Sequence, residues 1–202
     1  MDDVDAAVAA IRAGRLAIVP TDTVYGLAAS AYREAPVRRL YRAKGRVEEQ
    51  PTALVAADLD LLFECLPELH GRAGVIARAL LPGPYTLVVP NPAGRFRWLA
   101  GSRPDTIGVR VPDVAGVGKE LLDRVGALAA TSANRPGEPD PRTLDGVPEE
   151  LRAAAEALLD GGELPGVPST VLDLTGPEPV VLRQGIADGE EVLRRIRAAL
   201  IG

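Results

Sequence analysis

The chain has 202 residues, 47% of them hydrophobic and 25% charged, with a formal net charge of −5. That length suits a single domain over residues 1–202 with a sizeable core; no apolar run reaches the roughly 20 residues of a membrane span, and the acidic start Met1, Asp2, Asp3 is unlike a signal peptide, so a cytoplasmic protein without a membrane partner is expected. Cys65 is the only cysteine and His70 the only histidine, which excludes an internal disulfide and any metal site built mainly from Cys and His.

Residues 3–13 carry apolar side chains at helical spacing and stop at Gly14, which predicts a capped helix followed by a buried strand over 16–19. Pro20 cannot donate to a sheet ladder, so the chain is expected to leave the sheet there. Thr21, Asp22 and Thr23 then place three small polar side chains at a strand end, where open α/β sheets bind ligands. The pattern continues with a helix over 35–43, a strand over 52–57, and helices over 59–66 and 74–81. Strands over 85–89 and 106–111, a helix over 114–125 and a strand over 127–130 come next. A helix over 148–159, strands over 171–174 and 180–182 and an amphipathic helix over 189–200 complete the order. Helices and strands alternate, but some strands follow one another closely, so the fold class is α/β (α+β) with a mixed sheet. Residues 134–146 and 161–169 read as loops rich in Gly and Pro that could close over a ligand.

Several stretches could carry chemistry. Lys44, Gly45 and Arg46 close a helix, where Gly with basic neighbours is ordinary capping, yet two cations also suit a polyphosphate. Only two of the 23 basic residues are lysines, Lys44 and Lys119. The negative balance argues against broad nucleic-acid binding and leaves room for a local basic pocket. Pro82, Gly83 and Pro84 form a rigid turn into Tyr85 and Thr86. Thr131, Ser132 and Asn134 offer hydrogen-bonding side chains after an apolar run, as a ligand site or as a helix cap or Asx-turn. Ser169 and Thr170 precede one late strand and Arg183 closes the next.

The ordered set from Pro20 to Leu27, Lys44-Gly45-Arg46, Pro82 to Thr86, Gly108 to Pro112, Thr131 to Asn134, Pro168 to Val171 and Leu182 to Gly185 resembles the YrdC-type threonylcarbamoyl-AMP synthase family, in its short, single-domain form. The resemblance implies an open, twisted mixed parallel and antiparallel sheet flanked by helices, YrdC/RibB-like, around a concave basic cavity. It implies a nucleotidyltransferase that condenses L-threonine, bicarbonate and ATP into L-threonylcarbamoyladenylate and releases pyrophosphate. A downstream tRNA threonylcarbamoyl transferase complex would use the product on the adenosine next to the anticodon, and the chain itself could contact tRNA.

By motif, the resemblance places Lys44 and Arg46 as the catalytic cations. Arg46, Gln50, Thr106, Ser132, Asp140 and Arg183 fall on the ATP side, and Thr23, Arg110, Ala130 and Ser169 on the threonine side, with Arg110 gripping the carboxylate. Mg²⁺ would arrive with ATP, with no metal ligand expected from protein side chains. The chain departs from the family pattern at Gln50, where an Asn is usual, at Val55, where a His is usual, and at Asp140, where a hydroxyl residue is usual. Two other readings are a related synthase or carbamoyl-transfer domain acting on another amine, and a non-catalytic RNA-binding paralogue.

Overall fold

The computed structural model describes residues 2–45 and 50–201. Helix α1 (Asp3–Arg12) starts where the Asp2 carboxylate accepts the Asp5 amide at 2.7 Å, and buries Val4, Ala7, Val8 and Ile11. It leads into β1 (Ala17–Pro20), which turns back as β2 (Tyr25–Ser30) in an antiparallel pair with Pro20 opposite Tyr25. The chain leaves the sheet after Pro20, as expected, and re-enters it at Tyr25. Thr21 closes a tight turn by donating its hydroxyl to the Val24 carbonyl at 2.8 Å and accepting the Thr23 and Val24 amides at 3.2 Å each. Strand β2 was not anticipated, because its small residues Gly26, Ala28 and Ala29 lack the branched side chains that mark strands.

Helix α2 (Glu34–Lys44) ends at Gly45, whose φ of 62° is the left-handed conformation glycine favours. Strand β3 (Ala53–Ala56), α3 (Leu59–Cys65), α4 (Gly71–Leu80) and β4 (Tyr85–Pro90) follow at the expected places. A short 3₁₀ turn (Arg97–Leu99) precedes β5 (Thr106–Arg110), α5 (Gly116–Val125) and β6 (Ala127–Ser132). The expected helix over 148–159 divides into α6 (Glu149–Ala154) and β7 (Ala157–Leu158). The free edge of β1 accounts for the break, since the amides of Glu156 and Leu159 donate to the Leu16 and Ile18 carbonyls at 2.8 and 2.9 Å. Strands β8 (Thr170–Asp173) and β9 (Val180–Arg183) and helix α7 (Gly189–Ile201) complete the chain.

Among the described residues nine strands form one mixed sheet in the order β7-β1-β2-β6-β3-β5-β4-β8-β9. Three pairs are parallel, β1 with β7, β3 with β5 and β4 with β8, and the others are antiparallel. Strand residues alternate between faces. On one face Leu27, Ala29, Leu54, Val109, Leu87 and Leu172 join the main core, together with Leu40 of α2, Ile76 of α4 and Val192 of α7. On the other face Ala17, Val19, Ala28, Val55 and Leu128 are capped by Val8 and Ile11 of α1 and Leu121 of α5. These two helices cover one end of that second face, and the cavity described next occupies its remainder.

Candidate active site

A cavity of about 580 Å³ opens on the second face, a size suited to small-molecule ligands. Alternate strand positions make its floor: Gly26, Ala130, Ala53, Val55, Gly108, Thr86, Val88 and Val171. Their small side chains leave the backbone of the central strands close to the open space. Chain segments outside the sheet make its walls, with Thr21 and Val24 from the first hairpin, Pro136 and Gly137, and Pro168. Lys44, Arg103, Arg110 and Arg183 are the basic lining residues, and no carboxylate residue lines the cavity among the described residues. Asp22 pairs with Arg110 and Asp173 with Arg103, so two of these cations are compensated from behind the wall. Burial pushes the Asp173 carboxyl up, but hydrogen bonds from the Thr175 hydroxyl and amide and from Arg103 outweigh it and leave the group below the ordinary range.

At the end of α2, the buried Lys44 ammonium donates to the Ser132 carbonyl at 2.6 Å, to the Asn134 side-chain oxygen at 2.6 Å and to the Asn134 carbonyl. The Ser132 hydroxyl donates to the same Asn134 side-chain oxygen at 2.7 Å, and the Asn134 amide donates to the Glu138 carbonyl at 2.6 Å. Lys44 thus braces the turn at the end of β6. Ser132 lies within the strand, paired with Gly26, so the alternative of a helix cap is set aside.

Across the floor, Arg110 ends β5 with its side chain 10% exposed. Its Nη2 donates to the Asp22 carboxylate and, at 2.7 Å, to the Thr23 hydroxyl. The second Asp22 oxygen accepts the Asp113 amide at 3.1 Å. Val55 stands beside Arg110 in the parallel register and lines the cavity. Farther along, the Ser169 and Thr86 hydroxyls share a hydrogen bond of 2.8 Å, and Arg183 donates through Nη2 to the Ser169 carbonyl at 2.8 Å and hydroxyl at 3.2 Å. Thr106 lines the cavity while its hydroxyl donates to the Arg103 carbonyl at 3.0 Å.

The walls are stitched to each other through Tyr25, which is fully buried. Its hydroxyl donates toward Asp160 and the Gly162 carbonyl, each at 2.8 Å, and accepts the Gly161 amide at 2.9 Å. Burial, then the neighbouring Asp160, pushes the phenol up to about 12. The Gly162 amide, then the Tyr25 hydroxyl, holds Asp160 below the ordinary carboxylate range. The Gly166 amide donates to the Thr23 carbonyl at 2.9 Å, and the Leu164 amide to the Arg142 carbonyl at 2.8 Å.

The cavity therefore brings together Lys44, Gln50, Thr106, Arg110, Ala130, Ser132, Ser169 and Arg183, all expected from the sequence. Thr23 is buried behind the wall and bonded to Arg110 instead of lining the cavity, because the hairpin turns its hydroxyl toward the guanidinium. Asp140 is half-buried and absent from the lining: the chain there turns toward the sheet, with the Pro141 carbonyl accepting the Tyr25 amide at 3.1 Å. Arg46 lies outside the described residues. Sequence reasoning missed Arg103, named Asp22 and Asn134 among polar side chains at strand ends without giving either a role, and took Thr86 as part of a structural turn. Thr86 and Arg103 had no local signal; Asp22 and Asn134 sat inside motifs already singled out.

The family model described as Telomere recombination, Sua5/YciO/YrdC, matches residues 9–185. A threonylcarbamoyl-AMP synthase from Pyrococcus abyssi is 39% identical over 193 residues, covering 93% of this chain and 56% of that protein. The human threonylcarbamoyl-AMP synthase is 34% identical over 191 residues, 90% of this chain and 67% of the human one. The crystal structure of P. abyssi Sua5 complexed with L-threonine superposes with a TM-score of 0.87 at 37% identity, over 96% of this chain and 57% of that chain. The present chain thus spans little more than half the length of its archaeal relative. A match that runs through every element lining the cavity, from β1 to β9, makes this chain a member of the Sua5/YciO/YrdC family.

Proposed function

We propose that the chain is an L-threonylcarbamoyladenylate synthase, joining L-threonine, bicarbonate and ATP and releasing pyrophosphate. The observation that carries this reading is a single cavity in which an arginine suited to a carboxylate, Arg110, faces the same floor as the braced Lys44–Ser132–Asn134 turn. The synthase named from P. abyssi and the Sua5 structure complexed with L-threonine support it.

In this reading the threonine carboxylate meets Arg110, with Ala130 and Ser169 along its side chain. The amine attacks the carbon of bicarbonate with loss of water to give the carbamate, and a carbamate oxygen then attacks the α-phosphate of ATP, breaking its bond to the departing pyrophosphate. Neither step needs a covalent enzyme intermediate, so positioning and charge stabilisation carry the catalysis. Lys44 and Arg46 supply positive charge toward the triphosphate, while Gln50, Thr106, Ser132 and Arg183 hold the nucleotide; Asp140 belongs to this group by resemblance only. Among the described residues no group of three or more His, Cys, Asp or Glu could hold a metal ion. Mg²⁺ would arrive with ATP and would neutralise charge on the departing pyrophosphate. A tRNA threonylcarbamoyl transferase would consume the product, and this chain's own contact with tRNA is part of the proposal.

The test is pyrophosphate release by the purified protein with ATP, bicarbonate and Mg²⁺. Release that depends on L-threonine is expected, and no response to threonine overturns the reading. Val55 favours a second outcome, since it presents an apolar wall beside Arg110. A screen in which another amino acid outperforms threonine would assign the chain to a related synthase.

A further inference from the structure

We propose that Asp22, together with Thr23, is a positioning residue that sets which guanidinium nitrogen of Arg110 meets the amino-acid carboxylate. The inference rests on the synthase reading above for the identity of that carboxylate.

Arginine has five N–H donors, one on Nε and two on each terminal nitrogen, and it meets a carboxylate bidentately through either of two forks. One fork joins Nε and Nη2, the other Nη1 and Nη2. Both forks need a hydrogen on Nη2. In this protein the two Nη2 hydrogens have acceptors within the first hairpin, the Asp22 carboxylate and the Thr23 hydroxyl. Nε is buried with no hydrogen-bond partner. Of the three hydrogens that remain, the one on Nε is buried, so the two on Nη1 are left for a ligand and the carboxylate is met by one nitrogen, in one direction.

The placement of Asp22 supports a lasting brace over a stand-in for the substrate. Asp22 does not line the main cavity; it lines a separate cleft on the far side of the hairpin, beside Asp113 and Gly161. It approaches Arg110 from behind, with its side chain 7% exposed and its second oxygen held by the Asp113 amide at 3.1 Å. Thr23 is fully buried and its hydroxyl lies 3.1 Å from that of Thr21. A guanidinium this buried also needs a countercharge, which the pair supplies while keeping the arginine side of the cavity electrically neutral. Recognition there depends on direction more than on field.

Steady-state pyrophosphate release by Asp22→Ala and Asp22→Asn, with threonine and ATP varied separately, tests the proposal. Asp22→Ala is expected to raise the threonine KM by roughly 10- to 100-fold, as a misplaced binding group does, with the ATP KM unchanged. Asp22→Asn keeps an acceptor for Nη2 and should recover most of that loss. A threonine KM that falls or stays the same in both variants would show that Asp22 only neutralises charge, and overturns the proposal. Equal rises in both KM values overturn it as well. Should Asp22→Ala not fold, Asp22→Ala combined with Arg110→Ala removes both charges; its threonine KM should match that of Arg110→Ala alone, and a further rise counts against the proposal. A wild-type protein that shows no threonine response removes the synthase reading itself, which separates the two failures.

Discussion

The floor and the walls of the cavity are built on different principles. The floor is the middle of the sheet, where Gly26, Ala53, Gly108 and Ala130 occupy alternate positions on adjacent strands and small side chains create the space. The walls are irregular segments held by polar contacts between residues far apart in sequence, such as Tyr25 with Asp160 and Thr23 with Gly166. The floor sets volume, whereas the walls set chemistry by aiming Arg110, Ser169 and Lys44. Substitutions in the floor should therefore silence the protein while leaving it folded, and substitutions in the walls should loosen it.

The strongest break in the walls is Gly185→Ala. A Cβ there would sit 2.3 Å from the Pro168 carbonyl oxygen and from the Ser169 backbone, too close for either to yield cheaply. We expect a loss of about 3 kcal/mol in stability by urea unfolding. A mild loss would mean that the segment around Ser169 tolerates displacement and that the walls are softer than their contacts indicate. The matching test of the floor is Ala130→Leu, whose larger side chain points into the cavity. Activity should fall by about 10²-fold or more, because the reactants lose their alignment, with the melting temperature close to wild type. Unfolding of this variant would erase the distinction between floor and walls.

Tyr25→Phe sharpens the comparison within the walls. Removing the hydroxyl leaves the Gly161 amide and the Gly162 carbonyl without their partner, and a loss of about 1–3 kcal/mol is expected. The same phenol makes a pH prediction. Its pKa in the folded protein, about 12, is above the ordinary tyrosine value of 10.0, so the neutral form is favoured by folding. That contribution is complete below pH 10 and is lost as pH rises toward 12. The alkaline loss should disappear in Tyr25→Phe; if it persists unchanged, the phenol is not its source. The smallest effect is expected for the exposed pair Arg15–Glu156, at 3.2 Å and more than half exposed on both sides, which is remote from both regions. Arg15→Ala should cost no more than about 0.5 kcal/mol in stability and leave turnover unchanged.

The floor was largely legible in advance. Residues 52–57, 106–111 and 127–130 read as strands, and the structure places β3, β5 and β6 there, since a buried strand shows itself in a few consecutive residues. Strand β2 escaped because Gly26, Ala28 and Ala29 owe their strand state to pairing with β1 and β6, which no local pattern reports. The two loop segments were recognised as loops, while what holds them was invisible: Tyr25 and Asp160 are 135 residues apart. Thr23 shows the same limit. Its presence near the site was readable from the motif, but whether its hydroxyl faces the cavity or Arg110 depends on the pairing of β1 with β2, which no local pattern reports.

The sequence by itself determined most of the element order, the mixed sheet and a family whose motifs appear in the right succession, because these rest on local periodicity and on short runs of residues. Tertiary structure alone decided that β7 adds to the edge of β1, that Asp140 is outside the cavity lining, that Lys44 braces the Ser132–Asn134 turn and that Asp22 stands behind Arg110. Each of those outcomes depends on a hydrogen bond or ion pair between distant segments, whose geometry exists only once the sheet has brought them together.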